Sequence, residues 1–138
     1  MQTFLPYKDF KRSFRALDYR RLGKQRVEAF QILNIILNRV ESRGWRKHPA
    51  VLMWLKYPNA LKRYFNESIV EWESRGYKNN MKLEVIRGKT VYPDWLGNKD
   101  FHAAHRSNLL RKDCNYYSRF KWKEKNNLPY IWPIGDKK

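Results

Sequence analysis

The sequence has one cysteine, Cys114, in 138 residues. That excludes an intrachain disulfide and any cysteine-based zinc cluster, and it fits a reducing compartment. Histidine is nearly as scarce, with His48, His102 and His105 only. His102 and His105 have a spacing that a helix allows for a metal pair. Without a fixed carboxylate nearby they read instead as structural histidines or as hydrogen-bond partners of phosphate, so no metal and no cofactor are expected. No apolar run approaches the ~20 residues of a membrane span. The opening MQTFLPYKDF lacks the apolar stretch of a signal peptide. A Gly-rich phosphate loop and a Ser-centred elbow are both missing, which argues against P-loop enzymes and triad hydrolases. Acids are also in short supply: 13 Asp and Glu face 30 Lys and Arg, a formal net charge of +17. A surplus of that size repels itself in a compact chain and is normally retained for a polyanionic partner, nucleic acid first and an anionic membrane surface second.

What the chain does have is rings: six Trp, nine Tyr and seven Phe. A basic disordered tail would lack them. Cations mixed with aromatics suit a folded nucleic-acid binder that stacks on bases while neutralising phosphates. The expected partner is double-stranded DNA, with no membrane and no obligate protein partner, and the protein is expected to be a monomer. The expected location is the cytoplasm, associated with the nucleoid, or the host-cell cytoplasm for a viral protein. The length suits one domain, residues 1–138, with one core.

The apolar pattern is helical. Leu22, Phe30, Leu33 and Leu37, widened by Ala29, Ile32, Ile35 and Ile36, recur with the helical period. The pattern predicts a main helix over Ala16 to Ser42. Glu41-Ser42-Arg43-Gly44-Trp45 should stop it, and Glu73-Ser74-Arg75-Gly76-Tyr77 should stop a second helix begun at Pro58. In both, glycine supplies a left-handed residue and an aromatic packs back. The buried stripe of the second helix is Leu61, Phe65, Ile69 and Trp72, with Lys62, Arg63 and Glu67 facing water. His48-Pro49 should open a short helix, and Asp100 to Lys112 a third long one capped by Asn98 or Asp100. Residues 1–7 should lie extended across the surface. Residues 79–94 read as a hairpin or loop, with Lys82, Arg87 and Lys89 available to a phosphate backbone. The tail from Asn115, interrupted by Pro129 and Pro133, should wrap the helices as an ordered coil; Tyr117, Phe120 and Trp132 are candidates for the core. The expected fold class is mainly α: three principal helices, long ordered loops and an aromatic C-terminal coil.

Three groups could carry chemistry. Arg21, Lys24, Gln25 and Glu28 lie three or four apart on the first long helix, so a single carboxylate sits among cations on a rigid, anchored element. Lys24 and Glu28 also fit a solvated ion pair worth ~0.3–0.5 kcal/mol. Gly23 costs about 1 kcal/mol relative to alanine inside a helix, which marks a close approach of backbone or ligand. His48 stands at a helix start. On the third helix His105, Asn108 and Lys112 share a face, with Arg106 and Arg111 beside them; Asn and Arg are readers of base edges and phosphates. Arg20 and Trp122 complete the expected DNA-contacting set.

Three blocks, LDYRRLGKQRVEAFQIL, HPAVLMWLKYPNALKRYFNESIVEWESRGY and HRSNLLRKD with the aromatic tail, together resemble the pyrimidine-dimer DNA glycosylase family, in the family's order and over most of the chain. The resemblance implies a three-helix bundle that cleaves the N-glycosidic bond of a damaged pyrimidine and then nicks the strand by a lyase step. It implies an amine that attacks C1′ and forms an imine, a glutamate on the first long helix, which aligns with Glu28, and arginines that grip phosphates. Arg21 falls where the family usually has histidine.

Such chemistry is physically coherent. Glycosidic cleavage builds positive charge on the sugar, which a fixed carboxylate stabilises. An α-amino group, with an ordinary pKa of ~7.7–8.0, is better suited as nucleophile than a lysine side chain at ~10.4. The large Gln2 at position 2 predicts that Met1 is retained. The nucleophile is then the Met1 amine, Lys24 or water, the last with no lyase step. A non-catalytic basic DNA-binding protein and an RNA-binding module are the competing classes.

Overall fold

The computed structural model describes residues 1–41 and 43–133, with only the backbone of Arg43. All regular structure among these residues is helical. α1 spans Phe10–Ala16, α2 Tyr19–Ile36, α3 Pro49–Leu52, α4 Pro58–Ser74, α5 Lys99–Lys112 and α6 Cys114–Tyr117; short 3-10 turns cover Arg43–Lys47 and Ser118–Phe120. The mainly helical class and the three long helices agree with the sequence pattern, and α4 keeps its predicted bounds.

The first long helix is shorter than its pattern. Asp18 breaks it at the front, capping α2 by accepting from Arg21 N–H, and Asp9 caps α1 in the same way. At the back, Asn38 takes the left-handed conformation at φ 58°. Its N–H reaches Ile35 O at 3.2 Å and that of Arg39 reaches Asn34 O at 2.8 Å, so the last carbonyls are satisfied there. Gly44 is therefore not the stop and lies in the following 3-10 turn; Ser42, the expected end, lies outside the described residues. The second stop forms as read. Gly76 has φ +89°, Gly76 N–H bonds Glu73 O at 2.9 Å and Tyr77 N–H reaches Trp72 O at 3.4 Å. The Tyr77 ring packs on Trp72 at 4.4 Å.

α2 and α4 form the principal pair, burying Leu22, Ala29, Ile32 and Leu33 against Leu61, Phe65 and Ile69. α5 closes the core with Phe101, Leu109 and Leu110, joined by Trp54 and Trp95. Residues 79–94 hold no strand. They run as a strap along α4, tied by side chains: Asn66 exchanges two bonds with the Glu84 backbone, Asn59 donates to Arg87 O and Lys89 O, and Arg39 grips Glu84 through its two terminal guanidinium nitrogens. That pairing holds the Glu84 carboxyl below its usual range. The expected coil begins later than read, because α6 and the 3-10 turn take residues up to Phe120; residues 121–133 are an ordered coil, fastened to α5 by Arg106–Glu124, Asn108–Leu128 and Arg111–Asn126 contacts.

The first residues depart most from expectation. Thr3, Phe4 and Leu5 are at most 4% exposed and thread through the core rather than over the surface. A buried extended segment must satisfy its backbone polar groups. Here side chains do so: Thr3 N–H and C=O bond the Tyr130 hydroxyl, Phe4 N–H and C=O bond Gln25 and Tyr64, and Leu5 bonds His105 and His102.

Candidate active site

Glu28 stands on the third turn of α2, half-buried. Its Oε1 accepts Gln2 N–H at 3.3 Å and Gln25 Nε2–H at 3.2 Å. Gln25, 2% exposed, also donates to Gln2 O at 2.9 Å and accepts from Phe4 N–H at 3.3 Å and Tyr64 O–H at 2.6 Å. Two lone pairs and two N–H donors thus meet four partners, which saturates the amide. The start of the chain is fastened to the carboxylate through a side chain that is itself fully committed.

Three further groups feel the Glu28 charge. Burial, and then Glu28, hold the Tyr130 phenol above its usual range. Tyr64 is raised well above 10.0 chiefly by burial, with Tyr130 and Glu28 adding to it. Both phenols therefore stay un-ionised and can donate. His48 is lowered by burial first and then by the positive chain terminus, while Glu28 pulls the other way. Its Nδ1 accepts Ala50 N–H at 3.0 Å as the cap of α3. Its ring sits between Trp45 at 5.5 Å and Trp132 at 5.8 Å. Met1, Gln31, Asn34, Glu41 and Trp45 are among the residues lining an adjoining cavity of about 290 Å³. Trp45 is 52% exposed at its rim.

The structure thus gathers Glu28, Gln25, Met1 and His48. Lys24 is exposed, one turn before Glu28. Arg21 bonds Asp18 at 3.3 Å, and Asp18 also accepts from the buried Tyr117 hydroxyl. Arg20 is exposed against Tyr19.

The α5 group is divided between the core and the surface. His105 is 0% and Asn108 4% exposed, so neither presents a surface to DNA. His105 receives Leu5 N–H, and Asn108 donates to Ala104 O and Leu128 O. Arg106 is spent on Pro6 O and Glu124, each at 2.7 Å, and Arg111 on the tail carbonyls. Lys112 is exposed, 6.0 Å from the Phe4 ring centroid. Trp122 donates to the Tyr7 hydroxyl and stacks on Phe120 and Tyr117. The physical reason is shared: a buried N-terminal segment and a coiled tail both need polar partners, and α5 lies between them. Tyr64, Trp45 and Tyr130 were missed in the sequence. A hydroxyl within the otherwise apolar α4 stripe was the signal for Tyr64; nothing local marks the other two.

No group of three or more His, Cys, Asp or Glu residues is placed to hold a metal ion among the described residues. No helix among them is long and apolar enough to cross a membrane. The family model described as pyrimidine dimer DNA glycosylase matches residues 1–85, which include Met1, Gln25, Glu28 and His48 and end before α5. No curated protein and no solved structure matches the chain.

Proposed function

The chain belongs to the pyrimidine dimer DNA glycosylase family, and from that membership we propose that it releases a damaged or modified pyrimidine, such as a member of a cyclobutane dimer, from duplex DNA at Glu28. The observation that carries this reading is the double hold on Glu28 Oε1 by Gln2 N–H and Gln25, which brings the chain start to a carboxylate in a strongly basic protein. In the proposed reaction the Met1 α-amine attacks C1′. A nitrogen–carbon bond forms as the C1′–base bond breaks, and the electron pair leaves with the base, which gains a proton. Loss of the amine proton and ring opening give an imine, from which a lyase step can follow. Glu28 stabilises the cationic sugar through the transition state. Lys24 is the second choice of nucleophile, because its exposed stem lacks a bond that fixes it at the carboxylate. The target nucleotide must leave the stack to reach the site; the cavity beside Met1, with Trp45 at its rim, is the proposed place for it.

The test is incubation with ultraviolet-irradiated and undamaged duplexes, with and without borohydride, followed by adduct mass and peptide mapping. Base release with an adduct on Met1 is expected. Base release without an adduct would make water the nucleophile. Strong DNA binding with no base release from any damaged duplex would leave a non-catalytic DNA-binding protein.

A further inference from the structure

Where the N-terminal segment leaves the core, a basic concavity of about 420 Å³ opens, lined by Lys8, Arg12, Gly97, Lys99, His102 and Arg106 among others. Its floor is uncharged. His102 Nδ1 lies 2.7 Å from Leu5 O, and its Nε2 accepts Gly97 N–H at 2.9 Å, so both ring nitrogens are committed to the neutral form. Burial, Arg106 and Lys8 all disfavour its protonation, against the pull of the Leu5 carbonyl.

The cations above this floor divide into two kinds. Arg106 is answered by Glu124 at 2.7 Å. Asp9, also at the wall, spends its carboxylate on Arg12 N–H as the cap of α1. Lys8, Arg12 and Lys99 pair with no carboxylate within 4.0 Å among the described residues. Two of them are nevertheless positioned. The Arg12 guanidinium lies 3.8 Å from the Tyr7 ring centroid. The Lys8 stem crosses Gly97 so closely that a Cβ there would lie 3.3 Å from its Cδ, and Gly97 holds a φ of +97°. Lys99 opens the 14-residue α5, whose first turn also carries Asp100; as a cation at a helix start it opposes the helix dipole.

We infer that this concavity binds a backbone phosphate of the duplex, on DNA flanking the nucleotide held at Glu28. The inference rests on the DNA reading above. The N-terminal segment sets the spacing: Gln2 is bonded to Glu28 and Tyr7 lies at the concavity. Five residues of chain reach at most ~18 Å, about five base pairs of rise at ~3.4 Å each. The same buried segment that fixes the catalytic end would then fix the register of a distant phosphate.

The test is binding to an undamaged duplex by fluorescence anisotropy over a range of salt, with wild type, Lys8→Ala/Lys99→Ala and Lys8→Arg/Lys99→Arg. The alanine pair should weaken binding roughly tenfold near 0.1 M salt and lower the slope of log K against log salt by about 1–2. The arginine pair should restore both, and base release at saturating DNA should be unchanged in all three. An unchanged affinity and slope in the alanine pair would overturn the inference, as would equal losses in the arginine pair. Wild type that fails to bind DNA at all would instead sink the glycosylase reading itself.

Discussion

The backbone N–H of Leu5 donates to Nδ1 of His105 at 2.8 Å, joining residues 100 positions apart inside the core. The bond requires an unprotonated Nδ1. The proton then sits on Nε2, which is buried without a partner among the described residues. Burial, with His102 nearby, pushes the His105 pKa well below its ordinary value of 6.5. The unfolded chain takes up a proton near 6.5 that the folded chain refuses. Stability is therefore complete above that pH and falls as the pH drops below it, by up to ~1.4 kcal/mol per pH unit for one histidine. Denaturant titrations at pH 7.5 and 5.5 should show this loss. His105→Asn, which keeps an acceptor for Leu5, should flatten the slope; an unchanged slope would assign the acid lability elsewhere.

Gly23 faces Trp72 across the α2–α4 contact. A Cβ on Gly23 would lie 2.9 Å from Trp72 Cζ3 and 3.1 Å from Cη2. The indole cannot retreat freely, since its Nε1 donates to Lys78 O at 2.8 Å and its ring packs on Tyr77. Helix propensity alone would make Gly23→Ala stabilising by about 1 kcal/mol. Overpacking costs ~1–3 kcal/mol, so the substitution should destabilise by about 1 kcal/mol overall. In a Trp72→Ala background the sign should reverse. Thermal melts of the four proteins of that cycle decide it.

The two helix stops differ in a way that substitution can read. Gly76 holds φ +89° with open space where a Cβ would go, so Gly76→Ala meets backbone strain alone and should cost ~1–2 kcal/mol. Asn38 holds φ 58° with a side chain already present. Asn38→Gly should be near neutral, whereas Asn38→Val should cost more than either, because a β-branched residue is a genuine outlier there.

Much of this architecture was legible in the sequence because it follows from local rules. The α4 bounds came from Pro58 at the start and Gly76 after the end, and Asn98 was one of the two candidates for the α5 cap. Glu28 was singled out because it is the lone acid in a helical row of cations. What was hidden is long-range. His105, Arg106 and Asn108 have the residue types of DNA readers, and nothing within α5 says that a segment 100 residues earlier will take the first two as backbone partners or that the tail will take the third. Residues 1–7 read as an extended surface segment for the same reason: an extended apolar stretch can be buried only if distant side chains supply its hydrogen bonds. Asp18 and Asn38 broke a continuous apolar period because capping at each end satisfied backbone groups that further helix would have had to pair.

The same lattice makes Gln25 a positioning residue for Glu28, and its removal a test of that role. Its amide meets Gln2 O, Glu28, Phe4 N–H and the Tyr64 hydroxyl, all at 3.3 Å or less. Gln25→Leu would leave Phe4 N–H sharing only the Tyr64 hydroxyl, strip the donor from Gln2 O, and free one side of the carboxylate. Leaving buried polar groups unpaired costs ~1–3 kcal/mol each, so a stability loss of ~2–4 kcal/mol is expected. A residue that served only stability would lower the melting temperature and leave the folded enzyme's turnover intact. A positioning residue should also lower single-turnover base release at saturating DNA, by roughly 10–100-fold for a displacement on the order of 1 Å, with affinity for undamaged duplex retained. Glu28→Gln should go further, reducing base release by at least ~100-fold with affinity again retained. If Gln25→Leu turns over at the wild-type rate well below its melting temperature, Glu28 is held by the Gln2 amide alone and the Gln25 amide serves the core.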